Sequence, residues 1–210
     1  MTKLIIGCGT GRCGTKTLAK ILECHKDIMS YHEIFCRYNS ATFHDKYGMK
    51  KWRYDNSDFY LIKDFLSSKL NKPFVHSDVG PYYVNFLKEI ETEFYEDVKI
   101  IILKRNKEDF VRSFVNNILC YDETFFKKKN NYGKSFVKFS NDLIKDAHIY
   151  YEEFYKKIES QNLKRAIFLN TEGLNSKDKI IELFDFLEIE PVFEKFFHEN
   201  KKSSSIEELY

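Results

Sequence analysis

Arg12, Thr15 and Lys16 share a turn with Gly7, Gly9, Gly11 and Gly14, inside the stretch LIIGCGTGRCGTKTLAKIL from Leu4 to Leu22. Two cations and a hydroxyl interleaved with glycines suit anion binding. Glycine lets a backbone take positive φ and come close to a ligand, and the N–H groups that open a helix have no intrahelical partners. A phosphate or sulfate satisfies them, aided by the helix dipole and cationic side chains. This assigns Gly11, Arg12, Cys13, Gly14, Thr15 and Lys16 to an anion site; the alternative is a tight turn whose glycines serve only packing. A triphosphate loop reads GxxxxGK[ST], but here Thr15 follows Gly14 and Lys16 comes one position late. On a helix that slip turns the side chain by about 100°, away from where a triphosphate lysine must point.

A second segment, DVKIIILKRNKEDFVRSFVNNI from Asp97 to Ile118, carries cationic chemistry at a strand end. Its apolar run, Val98 to Leu103, suits a strand buried on both faces. Arg105 follows it, Asn106 is placed to cap the next helix, and Ser113 lies two turns in. A guanidinium fork with a nearby hydroxyl fits a phosphate; alone, Arg105 reads equally well as a surface ion-pairing residue.

The first segment, GTGRCGTKTLAKIL, resembles the GTGRSGTTxLxxxL loop of the sulfotransferase family, with Cys13 in place of serine and Lys16 in place of threonine. The second resembles the family's strand followed by RNPxDxxxS, with Lys107 in place of proline. The resemblance implies that the loop holds the 5′-phosphosulfate of 3′-phosphoadenosine 5′-phosphosulfate (PAPS), that Arg105 and Ser113 hold its 3′-phosphate, and that 3′-phosphoadenosine 5′-phosphate (PAP) is released without a metal. Arg12 matches a lysine of the cytosolic branch that stabilises the leaving phosphate. MSYHEIF, Met29 to Phe35, resembles the HEPF segment of bacterial members, which implies Glu33 as catalytic base, with His32 the runner-up. HSDVGPYYVNFLKEI resembles the segment in which an acid or lysine precedes a proline-started helix, and Asp78 there either orients the base or acceptor or caps a helix. Thr171 replaces an aromatic that often touches adenine, and Lys201 and Lys202 match a basic loop over the 3′-phosphate.

The implied activity is sulfuryl transfer to a hydroxyl of a glycan, lipid or small molecule. Two other readings stay open: a P-loop nucleoside or small-molecule kinase, and a non-catalytic nucleotide-binding module. Charge is nearly balanced, 34 Lys and Arg against 32 Asp and Glu, so no basic field argues for nucleic acid. The cysteines, Cys8, Cys13, Cys24, Cys36 and Cys120, form no CxxC pair and read as reduced thiols; Cys13, at a helix start, reads first as a simple replacement for serine and alternatively as a reactive thiol. Histidine spacing gives no metal motif, and neither a signal peptide nor a membrane span is recognisable, so a cytoplasmic enzyme is expected.

These residues need a scaffold that gathers strand ends. Strands are predicted at Lys3 to Gly7, Ile28 to Tyr31, Phe74 to Ser77, Lys99 to Leu103 and Ala166 to Asn170. Helices are predicted at Gly14 to Cys24, Ser57 to Leu70, Tyr82 to Phe94, Lys107 to Leu119, Ser135 to Ser160 and Lys177 to Leu187. The alternation predicts a three-layer α/β/α fold of P-loop nucleotide-binding type, with a mainly parallel sheet of about five strands, over one domain, residues 1–210. An irregular loop is expected near 36–56 and a flexible tail near 198–210. In such sheets ligands sit beyond the carboxyl ends of the strands, here Gly7, His32, Glu33, Ser77, Asp78, Arg105 and Thr171.

Overall fold

The computed structural model describes residues 2–35, 58–120 and 142–191. The expected loop near 36–56, the start of the long helix at Ser135, Lys201, Lys202 and the tail near 198–210 lie outside the described residues. In chain order the elements are β1 (Leu4–Cys8), α1 (Thr15–Glu23), β2 (Ile28–His32), α2 (Asp58–Leu70) and β3 (Val75–Val79). After a 3-10 turn (Pro81–Asn85) come α3 (Leu87–Glu93), β4 (Val98–Lys104), α4 (Lys107–Cys120) and α5 (Leu143–Glu159). The chain continues through β5 (Ala166–Asn170), a 3-10 turn (Thr171–Asn175) and α6 (Lys177–Leu187).

Every residue of β1 is buried, as an apolar strand covered on both faces requires. It pairs in parallel with β3 and β4, and the sheet order is β2-β3-β1-β4-β5, with every pairing parallel. Parallel neighbours need crossovers, which the helices supply. Leu18 and Leu22 of α1 and Leu183, Phe184 and Leu187 of α6 pack on Ile5, Ile101 and Leu103. On the other face, α2 to α5 cover Leu4, Ile6, Ile100 and Ile102. The result is a three-layer α/β/α fold. Its central strand, β1, delivers the glycine-rich turn between the ends of β3 and β4, the switch point where such sheets bind ligands.

Two elements depart from expectation. β3 runs on to Val79, so Ser77 and Asp78 are fully buried inside the sheet and are not rim residues. The helix expected over Tyr82 to Phe94 breaks at Phe86 (φ −128°, ψ 10°) into the 3-10 turn and α3. The hydroxyls of Tyr82 and Tyr83 both reach back to Asp78, and these tertiary bonds override the helical period. To get there the Tyr82 ring lies against residue 80, where an added Cβ would meet Cε1 at 2.4 Å; Gly80 makes room for it. Along α5, Ala147, Tyr150, Tyr151, Phe154 and Ile158 recur at helical spacing and are buried, with Leu143 partly buried beside them.

Candidate active site

The anion turn is built differently from the sequence expectation. Among its glycines only Gly14 takes positive φ, 88°, and the other left-handed residue is Arg12, at 74°. Gly7 and Gly9 serve packing instead: an added Cβ would meet Val79 at 2.7 Å and Cys13 Sγ at 2.5 Å respectively. Gly14 is the N-cap of α1, which has neither a capping side chain nor an acid in its first turn. The helix therefore opens with N–H donors that no side chain satisfies, while exposed Lys16 makes no hydrogen bond or ion pair among the described residues.

The second cationic segment closes onto this turn. Arg12 Nε donates to Ser113 Oγ at 3.2 Å, and Arg105 Nη1 donates to the Arg12 carbonyl at 3.0 Å. Asn106 caps α4 as expected, its Oδ1 accepting from the amides of Glu108 and Asp109 at 2.9 and 3.2 Å. Two tertiary bonds fix the backbone here. Tyr151 donates to the Arg105 carbonyl at 2.6 Å, and Thr171 donates to the Cys13 carbonyl at 2.7 Å. Thr171, which stands where the resemblance implies an aromatic, thus latches the loop.

At the end of β2, His32 Nε2 lies 3.0 Å from Thr15 Oγ1, so the imidazole is tied to the anion turn. Glu33 follows in left-handed backbone (φ 57°), and its N–H donates to the Val79 carbonyl at 3.1 Å. The amides of Ile34 and Phe35 donate to the two carboxylate oxygens of Asp78 at 3.0 and 3.1 Å. Tyr82 and Tyr83 also donate to that carboxylate, Tyr83 at 2.9 Å. Burial pushes the Asp78 pKa up, against the pull of these donors.

The Cys13 thiol is fully buried, and burial pushes its pKa up to about 12 despite nearby Arg105, which rules out the reactive-thiol alternative and agrees with its reading as a replacement for serine. Among the described residues no group of three or more His, Cys, Asp or Glu side chains is arranged to hold a metal ion, and no described helix is long and apolar enough to cross a membrane.

Residues 4–174, which span the turn, the Glu33 and Asp78 segments and the Arg105 segment, match the sulfotransferase domain family. The chain belongs to this family. Solved sulfotransferase structures share its fold. The sulfotransferase domain from the curacin biosynthetic pathway has a TM-score of 0.61 at 17% identity, covering 93% of this chain and 77% of that one. The sulfotransferase from Alicyclobacillus acidocaldarius has a TM-score of 0.54 at 15% identity, covering 92% and 83%. The sulfotransferase domain of the Synechococcus PCC 7002 olefin synthase has a TM-score of 0.56 at 13% identity, covering 93% and 75%. No curated protein matches the sequence.

In this sulfotransferase domain, sequence reasoning missed the residues that act from a distance. Helical spacing places Tyr151 on the buried face of α5 but does not reveal that its phenol ends on the Arg105 carbonyl. Tyr82 and Tyr83 were read as helix residues, yet both phenols serve Asp78. An available signal was the pair of adjacent tyrosines just after Gly80-Pro81, since a buried phenol needs a partner.

Proposed function

We propose that this sulfotransferase moves the sulfuryl group of PAPS to an acceptor hydroxyl on a glycan, lipid or small molecule. One observation carries the proposal: the bonds Arg12 Nε to Ser113 Oγ and Arg105 Nη1 to the Arg12 carbonyl make one site of two segments that the sequence resemblance gives to opposite ends of a single nucleotide. The uncapped start of α1 fits the 5′-phosphosulfate, and Arg105 with Ser113 fits the 3′-phosphate. Arg12 lies between them, its Nε engaged and its terminal N–H groups left to meet charge on the departing phosphate.

The acceptor oxygen attacks sulfur in line, forming one S–O bond as the bond from sulfur to the phosphate oxygen breaks. Glu33 takes the acceptor's proton, and the bonding electrons leave with PAP, held by loop amides, Arg12, Lys16, Arg105 and Ser113. His32 orients the Thr15 hydroxyl at the loop. Lys201 and Lys202 are assigned to the 3′-phosphate by sequence alone. Calorimetry comparing PAP with ATP and magnesium tests the reading. PAP is expected to bind and ATP with magnesium to fail to displace it; tight magnesium-dependent ATP binding without PAP binding overturns it.

A further inference from the structure

Asp78 has no exposed surface, so its carboxylate does not meet an acceptor or a nucleotide. Its influence on chemistry passes through what it holds. Both oxygens accept amide hydrogens, from Ile34 and Phe35, the two residues immediately after Glu33. The next residue along β3, Val79, takes the amide hydrogen of Glu33 itself. Three successive amides are thus pinned by two successive residues of β3. Between the anchors Glu33 keeps a left-handed backbone, which a non-glycine residue holds only where its surroundings over-determine it. From the far side, Tyr82 and Tyr83 complete the shell around the carboxylate, so every partner is a neutral donor. A buried carboxylate served this fully supplies fixed geometry.

We infer that Asp78 is the positioning residue for Glu33: its carboxylate fixes the left-handed turn that presents the Glu33 side chain to the acceptor hydroxyl. This rests on the reading of Glu33 as the base. Asparagine at position 78 keeps the shape but retains one carbonyl oxygen and turns an NH2 group toward donors. The test compares Asp78→Asn, Glu33→Gln and the double variant by PAP affinity and by PAP release from PAPS, with 4-nitrophenol as acceptor or, failing transfer to it, water.

Asp78→Asn is expected to lower turnover about 10- to 100-fold, the cost of a displaced catalytic group, with PAP affinity kept within about twofold. In the double variant, turnover is expected to equal that of Glu33→Gln alone, since one residue acts through the other. Turnover that falls by the product of the single losses overturns the inference, as does PAP affinity that falls in step with turnover. Full turnover in Glu33→Gln overturns the base reading, and the inference with it, a failure visible without any Asp78 variant. If Asp78→Asn does not fold, Tyr83→Phe keeps the carboxylate and removes one donor. Its smaller loss of turnover must likewise vanish in the Glu33→Gln background, and persistence there counts against Asp78.

Discussion

Arg12 and Ser113 are 101 positions apart and share a hydrogen bond of 3.2 Å from Nε to Oγ. With the Arg105 guanidinium on the carbonyl of the same Arg12, this draws a loop at the end of β1 and a helix after β4 into one cationic surface.

Arg105→Ala is expected to weaken PAP binding by about 1.5–3 kcal/mol, the range for a lost hydrogen bond to a charged group. Adenosine 5′-phosphosulfate, which lacks the 3′-phosphate, is expected to lose far less. Calorimetry on both nucleotides decides; equal losses remove Arg105 from the 3′ site.

Thr171→Val deletes the hydroxyl that holds the Cys13 carbonyl and keeps the side-chain shape. PAP affinity is expected to fall by about 1 kcal/mol, the net value of one such bond, and Thr171→Ser to restore it. Serine failing to restore binding traces the loss to packing against Gly14 instead.

Cys13 is expected to resist alkylation in the folded protein at pH 8, because its thiol is buried and its pKa lies near 12. Mass spectrometry of tryptic peptides after iodoacetamide treatment reads this directly. Rapid native-state labelling at Cys13 contradicts the buried placement.

His76 sets an acid limit on stability. It is buried against Tyr31 and Phe65 with both ring nitrogens unpartnered, and burial, then Lys69, lowers its pKa from 6.5 to about 4. Above pH 6.5 the ring is neutral in folded and unfolded chains alike. As pH falls below 6.5 the unfolded chain takes up a proton that the folded one refuses, and stability drops until about pH 4. The slope approaches about 1.4 kcal/mol per pH unit. Denaturant melts across this window should show the decline in the parent and a flatter line in His76→Phe; identical slopes exclude His76 as the cause.

Much of the fold was legible because its signals are local. The run Val98 to Leu103 falls within β4, and the Gly14 to Cys24 periodicity matches α1 to within a residue at each end. The separation of Arg105 and Ser113 was legible too, being fixed by one strand end and the helix after it. Side-chain destinations were not. That Asp78 supports the Glu33 turn depends on the register of β2 against β3, Tyr31 opposite Asp78 and His32 opposite Val79, which no local pattern encodes. Nor does any residue type announce that Arg12 and Glu33 take a conformation usually left to glycine.

Those two residues differ from the other described non-glycine residues of positive φ, Asn162 and Glu188, which follow helix ends where that conformation is ordinary. Glycine at position 33 would relieve about 1 kcal/mol of torsional cost while deleting the carboxylate. On the proposed reading of Glu33 as the base, heat tolerance and sulfuryl transfer therefore pull this chain in opposite directions. On that reading, a library screened only for survival at high temperature drifts toward glycine there and falls silent.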